Sequence, residues 1–144
     1  MVIAGILKHK GGSVLSVMPD AKVAEVIHML ATRRIGAVLV VDASNHLKGI
    51  LSERDVVRSL AEHGAATLEL TAAQLMTSDV HTATPLTTIA EAMEMMTDGR
   101  FRHVPVVDDD RLVGLVSIGD VVKAKIGEAE QEVDSLRAYV AGAA

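Results

Sequence analysis

The chain states nearly the same sequence twice, and the register between the two copies restricts what it can fold into. Pro19 falls on Pro85, Val23-Ala24-Glu25 on Ile89-Ala90-Glu91 and Asp42 on Asp108, all 66 residues apart. After the aspartate the spacing drops to 65, because Ala43 to Gly49 is answered by the one-residue-shorter Asp109 to Gly114. Ser52-Glu53-Arg54-Asp55-Val56-Val57 then lines up with Ser117-Ile118-Gly119-Asp120-Val121-Val122. A repeat of this length is a whole supersecondary unit, and two copies can bury together a face that neither covers alone.

Within each copy the proline is followed by apolar residues at helical spacing, Val23, Ile27 and Leu30 in the first and Ile89, Met93 and Met96 in the second. Each predicted helix runs into a short β-branched stretch, 37–41 or 104–107, long enough for one buried strand. Turn chemistry follows at 42–45 and 108–110, then returning strands at 47–51 and 112–116. Ser52 and Ser117 open a second helix. With leading strands at 14–17 and 80–82, the order per copy is β-α-β-β-α, and short helices over 2–7 and 70–76 precede it. The expected units are 1–67, with a short helix and a basic loop, 68–127, and a helical extension over 128–144. That extension carries Ile126, Ala129, Val133, Leu136 and Val140 in a heptad-like stripe, which suits packing on its own domain and a dimer contact equally well. Gly127 is where such a helix would kink.

Charge and composition narrow the function. Fourteen basic and nineteen acidic residues give a formal charge of −5, so the overall field opposes nucleic acid and anionic membranes. Phe101 and Tyr139 are the only aromatic residues, too few for a base-stacking platform. Without cysteine there is no disulfide, zinc thiolate or thiol nucleophile, which suits a reducing compartment. The apolar run 2–7 is too short for a signal-peptide core and precedes Lys8 and Lys10, the reverse of the usual order, so the expected location is the cytoplasm. The six histidines show no metal-ligand spacing, and Asp108 to Asp110 reads as a hairpin turn. Nucleophile-elbow, phosphate-loop and dinucleotide-fingerprint motifs are absent, so no enzyme activity, catalytic residue or metal is expected.

The two segments "IGAVLVVD…LKGILSERDVV" and "RHVPVVD…LVGLVSIGDVV" resemble a CBS-domain pair, the Bateman module. The resemblance spans nearly the whole chain, and its most specific part is the hairpin ending in Gly, two apolar residues and Ser-x-x-Asp in both copies. It implies an α+β fold of two tandem β-α-β-β-α repeats packed sheet to sheet with pseudo-two-fold symmetry. It also implies reversible binding of adenosine-containing ligands, AMP, ADP, ATP or NAD(H), in clefts between the repeats. No cofactor is required, a homodimer is expected, and an unidentified protein partner would receive the signal. By the same resemblance the Asp of Ser-x-x-Asp holds the ribose hydroxyls, its Ser lies by ribose or phosphate, and the segment before the Val-Pro strand contacts adenine.

The chemistry is sound in its own right, since a carboxylate only accepts and can take both hydroxyl protons of a vicinal diol. Ser-x-x-Asp at a helix start is also a capping arrangement, so Ser52, Asp55, Ser117 and Asp120 are expected to cap and bind together. The cationic positions are unequal: Arg54 stands where the second copy has Gly119, and Arg102-His103 where the first has Gly36-Ala37. Arginine suits phosphate because its planar donors engage two oxygens at once. The Asp120 cleft, with Ser117, Gly119, Val80, Thr82, Phe101, Arg102, His103, Val104 and Pro105, is therefore expected to be the better nucleotide site. The Asp55 cleft, with Val14, Ile35, Gly36, Ala37, Ser52 and Arg54, would take a second ligand or one end of a larger one. Lys8 and Lys10, in a glycine-flanked loop, are expected to be mobile. A structural or protein-interaction module with empty clefts is the rival reading.

Overall fold

A computed structural model describes residues 1–11 and 14–143. Gly12 and Ser13 of the expected basic loop, and the terminal Ala144, lie outside the described residues. The elements run α1 (Ile3–Lys10), β1 (Ser16–Val17), α2 (Val23–Arg33), β2 (Ala37–Val41), β3 (Leu47–Ser52) and α3 (Glu53–His63). A 3₁₀ turn over Gly64–Glu69 leads to α4 (Ala72–Leu75), α5 (Ile89–Gly99), β4 (His103–Asp108), β5 (Arg111–Ser117) and α6 (Ile118–Ala143). The result is a mixed α and β fold with two sheets, ordered β1-β2-β3 and β4-β5.

The strand pairing of the two copies repeats closely. Both hairpins shift register at the same place, between Val40 and Val41 and between Val106 and Val107. Val17 pairs with Val40 in parallel, and Ala83 bridges Val106 in the same way. Helices α2 and α5 each end at an arginine in the left-handed region, Arg34 at φ 52° and Arg100 at φ 56°. A non-glycine residue there is strained by about 1 kcal/mol.

The expected strand over 80–82 does not form; only the Ala83 bridge survives. Thr77 is hydrogen-bonded to Ile50 in both directions, which ties it to the first sheet, so the few residues after it are consumed in crossing to the second. Nor does Gly127 break α6, which is continuous from Ile118 to Ala143.

The leading helices exchange places. Ile3 and Ile6 of α1 lie in the core built by Ile89, Ala92, Met96, Val104, Val106, Val116 and Val121 of the second copy. Ala72 of α4, with Leu75 and Met76 packed alongside, completes the first-copy core of Val26, Leu30, Val38, Val40, Leu51 and Val56. Full burial of a side chain such as Ile3 contributes about 1.5–3 kcal/mol, so each half depends on a helix from the other end of the repeat. Gly49 and Gly114 make room for this: a Cβ on Gly49 would sit 2.6 Å from Met76 Sδ, and one on Gly114 2.6 Å from Leu7 Cδ2.

Candidate functional site

Both Ser-x-x-Asp segments fold as helix caps. Asp55 N–H donates to Ser52 Oγ at 3.3 Å, and Ser52 N–H returns the bond to Asp55 Oδ2 at 2.9 Å. The second pair repeats this, with Asp120 N–H donating to Ser117 Oγ at 3.2 Å and Ser117 N–H to Asp120 Oδ2 at 2.9 Å. Each carboxylate is thus fixed by its outer oxygen and keeps Oδ1 for other partners. Matching bonds set the start of each helix against the opening of the preceding strand, Glu53 N–H to Gly36 O at 3.0 Å and Ile118 N–H to Arg102 O at 2.8 Å.

Around Asp55 lies an open cavity of about 760 Å³. Gly36, Ser52, Arg54 and Arg58 line it from the first copy, Thr77, Val80 and His81 from the crossing segment, and Arg100, Phe101, Arg102 and His103 from the second copy. The Thr77 hydroxyl stands 3.5 Å from Asp55 Oδ1. His81 and Phe101 stack at 5.2 Å between ring centroids and 13° between planes, giving one wall a flat apolar face. Arg54, Arg58, Arg100 and Arg102 share this lining with Glu53, Asp55 and Asp79. Among the described residues none of the four forms an ion pair. In a chain of formal charge −5 this is a local cationic excess with donors free to meet an anion.

Asp120 is placed differently. Lys10, the last residue of α1, donates from Nζ to Asp120 Oδ2 at 2.6 Å and to the Leu115 carbonyl at 2.9 Å. Partial burial would raise the Asp120 carboxyl, but the hydrogen bonds from Lys10 and Ser117 outweigh it and hold the group below its ordinary value. His103 lines the Asp55 cavity, its ring 3.2 Å from where a Gly36 Cβ would stand. Burial lowers its pKa first, and Lys10 and Arg102 lower it further against the opposing pull of Asp120 and Glu53.

The structure therefore regroups the candidate residues. Val80, Phe101, Arg102 and His103, expected beside Asp120, join Gly36, Ser52 and Arg54 at Asp55, and among the described residues Asp120 does not line that cavity. The cause is the exchange of leading helices, since each crossing segment passes the aspartate of the opposite copy. Thr82 lies in a separate depression with His46, Lys48, Ser78 and Asp110. Ala37, Val104 and Pro105 are buried in strand pairing, while Val14 and Ile35 are half-buried and do not line the cavity. Gly119 is exposed beside Ile118 and Val122 on the outer face of α6.

Sequence reasoning passed over Arg58, Arg100 and His81, and gave Lys10 too little weight. Arg58 was legible, because it follows Arg54 by four residues on one helical face. Arg100 has the signal of its repeat partner Arg34. His81 carries no sequence signal of its own. Among the described residues no group of histidine and acidic side chains is close enough to hold a metal ion, and no helix is long and apolar enough to cross a membrane.

Comparison with known proteins agrees with this architecture. The sequence profile of the CBS domain matches twice, over residues 12–62 and 72–127. A CBS domain-containing protein of Arabidopsis thaliana, CBSX3, described as mitochondrial, is 36% identical over 148 residues, covering 97% of this chain and 72% of its own length. Other curated relatives are matched over 22% to 65% of their length. A CBS-domain protein of Agrobacterium tumefaciens superposes with a TM-score of 0.82 at 44% identity, over 86% of this chain and 92% of its own. The CBS domain pair of protein MJ0100, crystallised with 5′-methylthioadenosine and S-adenosyl-L-methionine, superposes with a TM-score of 0.78 at 25% identity, over 89% and 98% of the two chains. On its repeat, its fold and these matches, the chain belongs to the CBS-domain proteins as a tandem pair.

Proposed function

We propose that the chain is a regulatory module that reversibly binds an adenine nucleotide, AMP, ADP, ATP or NAD(H), with the Asp55 cavity as its principal site. The observation that carries this is the convergence, in about 760 Å³, of a capped carboxylate whose Oδ1 is met only by the Thr77 hydroxyl at 3.5 Å, four arginines that form no ion pair among the described residues, and a stacked ring face. The volume is within the range of small-molecule sites. Asp55 Oδ1 accepts from the ribose diol, the guanidiniums meet phosphate, and the His81–Phe101 face supports the purine. The 5′-methylthioadenosine and S-adenosyl-L-methionine held by the MJ0100 pair support the adenosine part of this reading.

The module carries out no reaction on its ligand. It signals because the ligand touches both copies and so favours one packing angle between them, which a protein partner or a second subunit reads. A homodimer in the cytoplasm is the proposed working form. The test is thermal unfolding with AMP, ADP, ATP, NADH and S-adenosylmethionine. A ligand at a hundredfold over its dissociation constant adds about 2.7 kcal/mol, a rise of roughly 5–10 °C for a domain this size. If none of the five moves the transition, the module is a structural one with empty clefts.

A further inference from the structure

We propose that residues 122–140 of α6 wind with the same segment of a second copy into a parallel, in-register two-stranded coiled coil. This deepens the homodimer part of the reading above and is independent of the nucleotide site. The first turns of α6 belong to the module, since Val121 is fully buried and Ala124 packs against the second core. From Ala129 to Gly142 every residue is exposed, so this part of the helix has no tertiary support. An isolated helix of that length is marginal in water, because nucleation is costly and propagation adds little per residue. The helix therefore needs a surface to lie on.

Its exposed apolar residues define that surface. Val122, Ile126, Val133, Leu136 and Val140 are 41, 55, 48, 63 and 60% exposed, although the stripe could have been polar at no cost to the fold. With Ile126, Val133 and Val140 at heptad position a, Val122, Ala129 and Leu136 fall at d, and the period of 3.5 holds across the whole segment. β-Branched Ile126, Val133 and Val140 fill every a position, a choice that favours two strands, while the d positions hold Val122, Ala129 and Leu136.

The flanking charges select orientation. In a parallel pair, position g of one helix faces the following e of the other. Lys125 then meets Glu130 of the partner subunit, and Glu132 meets Arg137 of the partner subunit, with both pairs repeated by symmetry. The antiparallel register that overlaps all six layers sets Glu130 and Glu132 each against its own copy and Lys123 against Arg137 of the partner subunit. Like charges oppose one another at every charged flank of that arrangement, and opposite charges at every charged flank of the parallel one. The occupant of the stripe is a second copy of this chain.

The chain contains no cysteine, which makes the test direct. Ile126→Cys and Val140→Cys are introduced separately into the full chain and oxidised, and dimers are counted on a non-reducing gel beside the solution mass of the reduced protein. Parallel helices bring each cysteine to its own copy, so either variant alone cross-links. In the antiparallel arrangement these two positions stand far from themselves. A reduced dimer in which neither variant cross-links overturns the coiled coil and leaves the homodimer reading in place, whereas a monomer at all concentrations overturns both. Glu132→Arg is expected to weaken the dimer about tenfold and Glu132→Arg with Arg137→Glu to restore it. Failure of the double reversal to restore it also overturns the register. Nucleotide-induced stabilisation, read separately, is expected to be unchanged in all four variants, so the two sites are judged apart.

Discussion

Lys10 Nζ stands 2.6 Å from Asp120 Oδ2, where the other half of the molecule offers Asp55 only the Thr77 hydroxyl at 3.5 Å. The two equivalent aspartates are thereby made unequal: Asp120 carries the Lys10 ammonium on the oxygen that also caps its helix, whereas Asp55 pairs with no cation among the described residues and opens onto the cavity. Lys10→Met is expected to raise the Asp120 carboxyl toward its ordinary value, read by a carbon-detected NMR titration. Because the folded value lies below the unfolded one, the pair contributes stability above the ordinary carboxylate range, and that contribution is lost as pH falls through the folded value. Lys10 is 40% exposed in its side chain, so screening keeps the loss to no more than about 1 kcal/mol at neutral pH. An unmoved Asp120 titration contradicts the pairing.

The exchanged helices make a prediction about two glycines. A Cβ at position 49 would meet the Thr77 carbonyl at 2.7 Å as well as Met76 Sδ at 2.6 Å, and the backbone there is fixed by its bonds to Ile50. At position 114 the obstacle is the end of the Leu7 side chain, which can turn aside. Gly49→Ala is expected to lower stability by about 1–3 kcal/mol and Gly114→Ala by clearly less, measured by urea unfolding. Equal losses would show that α1 and α4 are not seated as described.

Arg100 combines a strained backbone with a place in the cavity. Arg100→Gly is expected to relieve about 1 kcal/mol of strain and raise the unfolding midpoint, while weakening nucleotide binding roughly tenfold or more through loss of a charge-assisted bond. Arg34→Gly, at the equivalent turn outside the cavity, relieves the same strain with binding unchanged. Two variants with the same effect on affinity would remove Arg100 from the site.

His103 gives the interface between copies a pH dependence. Burial holds the imidazole below its ordinary value, with Lys10 and Arg102 adding to the effect and Asp120 and Glu53 opposing it. The unfolded chain therefore binds the proton more readily, so stability is present above about pH 6.5 and falls as pH drops toward the folded value. His103→Gln is expected to flatten the unfolding profile between pH 5 and 7. A profile of the same slope in both proteins assigns that dependence to other groups.

The local elements were legible in the sequence because helices α2 and α5, both hairpins and both caps are set by short-range patterns that the repeat states twice. The regrouping at Asp55 was not. Val2 to Leu7 reads as an apolar helix that would fit either core, and nothing local says that Ile3 and Ile6 fill the second one while Ala72 fills the first. Once that exchange is known the rest follows: the segment after α4 must pass Asp55, carrying Val80 and His81 with it, and the end of α1 must bring Lys10 to Asp120. Pairing across the repeat is a long-range choice, and the register of 66 residues is the same whichever way it is made.

Calorimetric titration of AMP, ADP, ATP, NADH and S-adenosylmethionine into the parent chain, Asp55→Asn and Asp120→Asn tests the central claim most directly. Asparagine keeps an oxygen to accept from the Ser52 or Ser117 N–H, so the caps survive while the charge and the diol acceptor are lost. At least one ligand is expected to bind the parent, with affinity reduced tenfold or more by Asp55→Asn and changed less than twofold by Asp120→Asn. Parental affinity in Asp55→Asn, or no heat from any ligand with the parent, would contradict the account.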